Sequence, residues 1–61
     1  MSTFKMMTEQ ITKYLILGDA DIQALENGVN HHIQQGWIPQ GGVGQSDEGI
    51  FIQAIVKKEM V

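Results

Sequence analysis

The feature that most constrains this chain is a run of seven residues, apolar at every position except Gln53: Ile50-Phe-Ile-Gln-Ala-Ile-Val56. The run has the length of a strand. Successive side chains of a strand point to opposite faces, so a strand that is apolar throughout must be covered on both. Strands of this kind usually lie in the middle of a sheet. The run therefore predicts a central strand, which the rest of the chain has to flank.

Two shorter segments are candidates for the flanking strands. Residues 13–17, Lys-Tyr-Leu-Ile-Leu, are rich in β-branched and aromatic side chains and end at Gly18, which is typical of a strand. Both of its faces are apolar. Residues 37–44, from Trp37 to Gly44, give the second strand, and Pro39 favours an edge position or a bulge because it lacks an N–H. The polar stretch 45–49 has the length of a hairpin loop.

Between these strands the apolar positions are spaced by three or four residues, which predicts one helix from Ile22 to about Gln34. Asp19 and Asp21 provide capping oxygens and negative charge at its start. Gly36 predicts a Schellman-type end, with Trp37 folding back over the last turn. Gly28 within the helix indicates either a close approach by another element or a neutral accident.

The predicted fold class is α+β: strand-helix-strand-strand, with a three-stranded antiparallel sheet in the order 1-3-2 and one helix packed on one face. We expect residues 1–12 to form an N-terminal arm, flexible or a short helix. Residues 13–57 form a single βαββ domain, and residues 58–61 a polar tail. The sheet face away from the helix would be an apolar patch too large to leave in water, which predicts a homodimer or higher assembly.

Size and charge narrow the classes of partner. A chain of 61 residues without Cys has a marginal core, and chains this small often depend on oligomerisation. Seven acidic residues against four Lys and no Arg make nucleic acid an unexpected partner. The N-terminus shows neither a signal peptide nor a membrane span. We therefore expect a cytoplasmic protein with no membrane partner.

No combination of residues predicts catalysis, a cofactor or a metal. His31 and His32 are adjacent, so on a helix they point about 100° apart and cannot chelate one ion. The Gly41–Gly44 stretch lacks the Lys-Ser or Lys-Thr pair and the following helix of a phosphate-binding loop. We expect its small residues instead to let the Trp37 ring or a neighbouring backbone pack closely. Ser46 has no recognisable base. We predict a protein that is not an enzyme.

Several short motifs carry a family resemblance: Leu25-Glu26, Val29-Asn30, Gly36-Trp37, Gly41-Gly42-Val43 and Gln53-Ala-Ile-Val-Lys57. On these residues the chain resembles a family of small bacterial and phage proteins known only as a domain of unknown function. The resemblance covers roughly residues 13–57, with Ile55 where Met is common. It implies the compact α+β fold and carries no activity or catalytic residues with it.

Two functional hypotheses follow. The first is a non-enzymatic, self-associating interaction module that modulates a larger protein through its acidic loop or a strand edge. The alternative is an oligomer that binds a small ligand in a pocket at the subunit interface near Trp37. The candidate contact residues for ligand or partner are Trp37, Gly41, Gly42, His32, Asp47 and Glu48.

Overall fold

The computed structural model describes residues 8–60, and they form three strands and one helix. The elements are β1 (Glu9–Asp19), α1 (Ile22–Gln34), β2 (Ile38–Gln45) and β3 (Phe51–Met60). Both β1 and β2 pair antiparallel with β3, so the sheet order is β1-β3-β2. The predicted α+β fold and strand order are confirmed. The apolar run at residues 50–56 supplies the first part of the central strand.

The outer strand and the central strand are longer than the sequence predicts. β1 begins at Glu9 and pairs with β3 as far as Met60, so residues 9–12 belong to the sheet and not to an arm. Likewise residues 58–60 belong to β3 and not to a polar tail. Backbone hydrogen bonding holds these ends together, although their side chains are mostly polar. The predicted arm at residues 1–7 and Val61 lie outside the described residues.

Both ends of α1 are capped as the sequence predicts. The Asp21 carboxylate accepts a hydrogen bond from the Gln23 N–H at 3.0 Å. At the other end, Trp37 N–H donates to His32 O and Gly36 N–H donates to Ile33 O, both at 3.0 Å, which is the Schellman pattern. Gly36 has φ +94°, a conformation that a side chain disfavours. This cap turns the chain directly from α1 into β2.

The helix covers one face of the sheet, and the core is small. On β3, Gln53 and Ile55 face α1, while Ile52, Ala54 and Val56 face the other way. Among the described residues the buried apolar side chains are Leu25, Ile55 and Val56, which are 3%, 0% and 1% exposed. α1 lies mainly over β1 and β3 and less over β2. Within residues 8–60, no helix or second sheet covers the sheet face opposite α1, and α1 covers the other face only in part.

The glycine that permits close packing is not one of those that the sequence suggested. A Cβ added to Gly28, Gly41 or Gly42 would meet no atom of residues 8–60 within 4 Å, so within that part of the chain the expected close approaches at these positions are absent. Gly41 instead adopts a positive φ of 72°, a conformation that a side chain disfavours. A close approach does occur at Gly44, where a Cβ would lie 3.2 Å from Ile52 Cγ1. Gly44 therefore lets the Ile52 side chain lie across β2.

Candidate functional site

The first candidate surface is the sheet face opposite α1, which we call the open face. Residues paired directly across antiparallel strands point to the same side, so the register assigns its members. Val56 lies between Tyr14 and Ile38, and Ala54 lies between Ile16 and Gln40. Ile52 lies between Gly18 and Gly44. The name open face is used for the three-stranded part of this side, which comprises Tyr14, Ile16, Ile38, Gln40, Ile52, Ala54 and Val56, flanked by the two glycines. Beyond it, where only β1 and β3 pair, the same side continues with Lys58 opposite Ile11 and Met60 opposite Glu9.

The open face is uncharged and, apart from Gln40, built of apolar and aromatic side chains; its outer members are exposed, while Val56 between Tyr14 and Ile38 is 1% exposed. Tyr14 and Ile16 are 61% and 57% exposed, and Ile38 and Ile52 are 44% and 37% exposed. None of its seven members carries a charge at neutral pH, and the glycines at both ends of the Ile52 row leave that row without flanking side chains. Contiguous apolar surface of this kind marks a site of association.

A second apolar surface is a groove between α1 and β2 with a volume of about 160 Å³. Because the helix lies mainly over the other two strands, the helix-facing side of β2 is not fully covered. The groove is lined by Ile22, Leu25, Glu26, Val29, Asn30, Pro39, Val43 and Gln53. Most of these side chains are apolar, and Glu26 brings one carboxylate to the wall.

Gln53 shapes β2 where it borders this groove. The β2–β3 pairing is interrupted between Gln40 and Gly44, so the intervening residues bulge away from the ladder. The Gln53 side chain is 5% exposed, and its Nε2 donates to Gln40 O at 3.2 Å and to Gly41 O at 3.1 Å. It also lies 2.9 Å from Ala54 O. The single polar residue of the apolar run thus provides donors for carbonyls that the bulge removes from the sheet.

Two of the predicted contact residues meet at the C-terminal end of α1. The His32 and Trp37 rings pack edge to face with centroids 6.1 Å apart, and Lys57 Nζ lies 5.6 Å from the centre of the Trp37 ring. His32 Nδ1 is also 2.7 Å from Gly28 O. His32 is partly buried and His31 is exposed. These contacts close the helix end, and neither ring lines the groove.

The other predicted residues lie elsewhere. Gly41 and Gly42 are in the β2 bulge, and Asp47 and Glu48 are exposed in the β2–β3 turn. Ser46 forms that turn: its Oγ accepts from Ile50 N–H at 3.1 Å and its carbonyl accepts from Gly49 N–H at 3.0 Å. The structure therefore brings together His32 with Trp37 and Gly41 with Gly42, but does not join the six residues in one pocket.

Sequence reasoning did not name the residues of the two apolar surfaces as a site. The alternation of Tyr14 and Ile16 with Leu15 and Leu17 already indicated a second apolar face. By contrast, the groove depends on where α1 sits across the sheet, and periodicity alone does not give that position.

Within residues 8–60, no three His, Asp or Glu side chains are grouped so that they could hold a metal ion. The one helix of that region is too short to cross a bilayer. No protein-family model matches the chain, and neither a curated protein nor a solved structure matches it, so the family resemblance stays a prediction.

Proposed function

We propose that this protein is a non-enzymatic interaction module that assembles with a second copy of itself through the open face and presents its other surfaces to a larger protein. The observation that carries the proposal is the exposure of four large apolar side chains on that face: Tyr14, Ile16, Ile38 and Ile52. A monomer would hold them all in water.

The small core supports self-association. Three buried apolar side chains contribute roughly 5 to 9 kcal/mol at about 1.5 to 3 kcal/mol each, which is little against the entropy lost on ordering the chain. Covering the open face adds apolar burial that the protomer lacks. Domains of this size commonly gain their missing stability by oligomerisation.

The chemistry of the open face favours a second copy as its occupant. A two-fold axis brings the same patch of both protomers together. In such an arrangement, a charged residue near the axis faces its own copy and is repelled by it. The open face carries no charge at neutral pH, so this repulsion does not arise. Apolar side chains around Ile16 would pack against the same side chains of the second copy. Gly18 and Gly44, on either side of Ile52, would leave room for the Ile52 side chain.

Sedimentation equilibrium of the full chain tests the proposal. We expect a mass of twice 6.8 kDa at micromolar concentration. The apparent mass should not fall as salt is raised, because the contact is apolar. A folded species that stays at the protomer mass at the highest soluble concentration would refute it.

The alternative, a ligand pocket at a subunit interface near Trp37, has less support. The Trp37 ring is occupied by His32 and Lys57. The groove lies between α1 and β2, and its volume of about 160 Å³ is below the roughly 300 to 1,000 Å³ of typical ligand sites. The interaction module is therefore the function that we put forward.

A further inference from the structure

We infer that the groove between α1 and β2 docks a basic amphipathic helix of another protein. The inference rests on the proposed role as an interaction module and names the class of its partner, but it uses a surface on the opposite side of the sheet from the open face. A dimer formed through the open face leaves both grooves accessible.

The groove has the form of a vacant position in the helical layer. Ile22, Leu25 and Val29 lie on one stripe of α1 and form one wall, and Pro39 and Val43 of β2 form the floor. Packed helices lie about 8 to 10 Å apart, which is about twice the 4.8 Å spacing of strands. A second helix at that distance from α1, on the β2 side, would lie over β2. Val43, which is 55% exposed, would be covered by it.

The neighbouring edge of β2 favours a helix over an added strand. Strand addition needs a continuous row of free N–H and C=O groups. Pro39 has no N–H, and the ladder is broken between Gln40 and Gly44. The bulge carbonyls of Gln40 and Gly41 already accept from Gln53. A helix makes its own backbone hydrogen bonds and needs only apolar contact.

The distribution of charge favours a basic partner. The antiparallel register places the start of α1 and the β2–β3 turn at the same end of the sheet, since Asp19 pairs with Phe51 and Gln45 pairs with Phe51. Five of the seven acidic residues belong to these segments: Asp19, Asp21, Glu26, Asp47 and Glu48. The Asp19 and Asp21 carboxylates accept backbone N–H groups. Glu26, on the groove wall, and the turn acids Asp47 and Glu48 are the carboxylates that a partner would meet.

The lysines of the described chain lie at the other end. Lys13 pairs with Lys57 in the sheet, and Lys58 follows. Asp19 is six positions after Lys13 in β1, which is about 20 Å along the strand. The part of a cationic helix that lies near the start of α1 would therefore meet carboxylates, with these lysines about 20 Å away along the sheet.

Fluorescence anisotropy with a labelled synthetic peptide tests the inference. The probe is an amphipathic Leu/Lys peptide of about four helical turns, or 14 residues. A scrambled peptide of the same composition and a Leu/Glu peptide of the same pattern serve as controls. We expect saturable binding of the Leu/Lys helix, at least tenfold weaker binding of the scrambled peptide, and none of the Leu/Glu peptide. Equal affinity for the first two, or no saturable binding at all, would overturn the inference.

Charge-matched variants locate the site. Glu26→Lys and Glu59→Lys change the net charge equally, but Glu26 lines the groove and Glu59 lies near the far end of β3. We expect at least a tenfold rise in Kd for Glu26→Lys and less than a twofold rise for Glu59→Lys. Val43→Ser should also weaken binding several-fold by removing apolar contact. If the two Glu variants weaken peptide binding equally, the attraction is a non-specific effect of net charge, and the assignment of the binding site to the groove is wrong.

Sedimentation of the same samples separates this inference from the dimer proposal. A monomer that binds the peptide with the expected variant pattern would refute the open-face dimer and keep the groove. A dimer that binds neither Leu/Lys peptide would refute the proposed helix-docking role of the groove and would support the open-face dimer.

Discussion

Replacing Ile16 by Ala is the sharpest test of the open face. The change removes three carbon atoms, worth about 0.8 kcal/mol each on full burial. For three carbon atoms this is about 2.4 kcal/mol on full burial. Ile16 is 57% exposed in the protomer, so burying the exposed part in a dimer accounts for about 1.4 kcal/mol of that energy. A two-fold dimer contains the residue twice, which gives about 2.7 kcal/mol and roughly a 100-fold rise in the dimer Kd.

The matched control is Ile33→Ala, the same change at an isoleucine of α1 that is 45% exposed and lies off the open face. Sedimentation equilibrium over a range of concentrations, with circular dichroism to verify folding, measures both variants. We expect Ile33→Ala to keep the wild-type Kd. If the two variants shift the dimer Kd equally, or if folded Ile16→Ala dimerises like the wild type, the assignment of the interface is wrong.

Three further variants test the internal structure by urea unfolding at one fixed protomer concentration, because dimerisation contributes to stability. Gln53→Ala should cost about 3 kcal/mol per protomer, from two hydrogen bonds of about 1 kcal/mol each and one buried methylene. The control Gln34→Ala, at an exposed position of α1 off the open face, should change stability by less than about 0.5 kcal/mol; equal effects would contradict the role of Gln53 in the bulge. Gly28→Ala should stabilise by about 1 kcal/mol, since the added methyl group meets open space and Ala is the better helix former. Gly36→Ala should destabilise by about 1 to 2 kcal/mol because its φ is +94°, and the same sign for both glycine variants would refute this reasoning.

The strand order could be predicted because one segment left few alternatives. A run that is apolar on both faces has to be central, and once residues 50–56 are placed there, the two remaining strands have to flank it. The helix end was equally predictable, since Gly36 followed by Trp37 is a local signal that depends on backbone conformation and not on distant contacts. Each of these two features follows from the residue pattern of one short segment.

The features that could not be predicted depend on contacts between distant segments. The polar residues at 9–12 and 58–60 show no strand pattern of their own, and they are ordered because each provides the backbone partner of the other. The role of Gln53 requires the β2 bulge, which lies 12 to 13 residues away in sequence. In the same way, the packing role expected of Gly41 and Gly42 belongs to Gly44, because of these three β2 glycines only Gly44 lies opposite Ile52.

The position of β3 in the sheet has a consequence for the order of folding. The central strand is the last of the four elements to be synthesised, so neither flanking strand has a partner until it emerges. The β2–β3 hairpin can close over a short turn, whereas β1 must pair across a separation that reaches from Glu9 to Met60. Contacts of such long range slow folding. The open face also needs side chains from all three strands, so a nascent chain cannot present it before the sheet is complete.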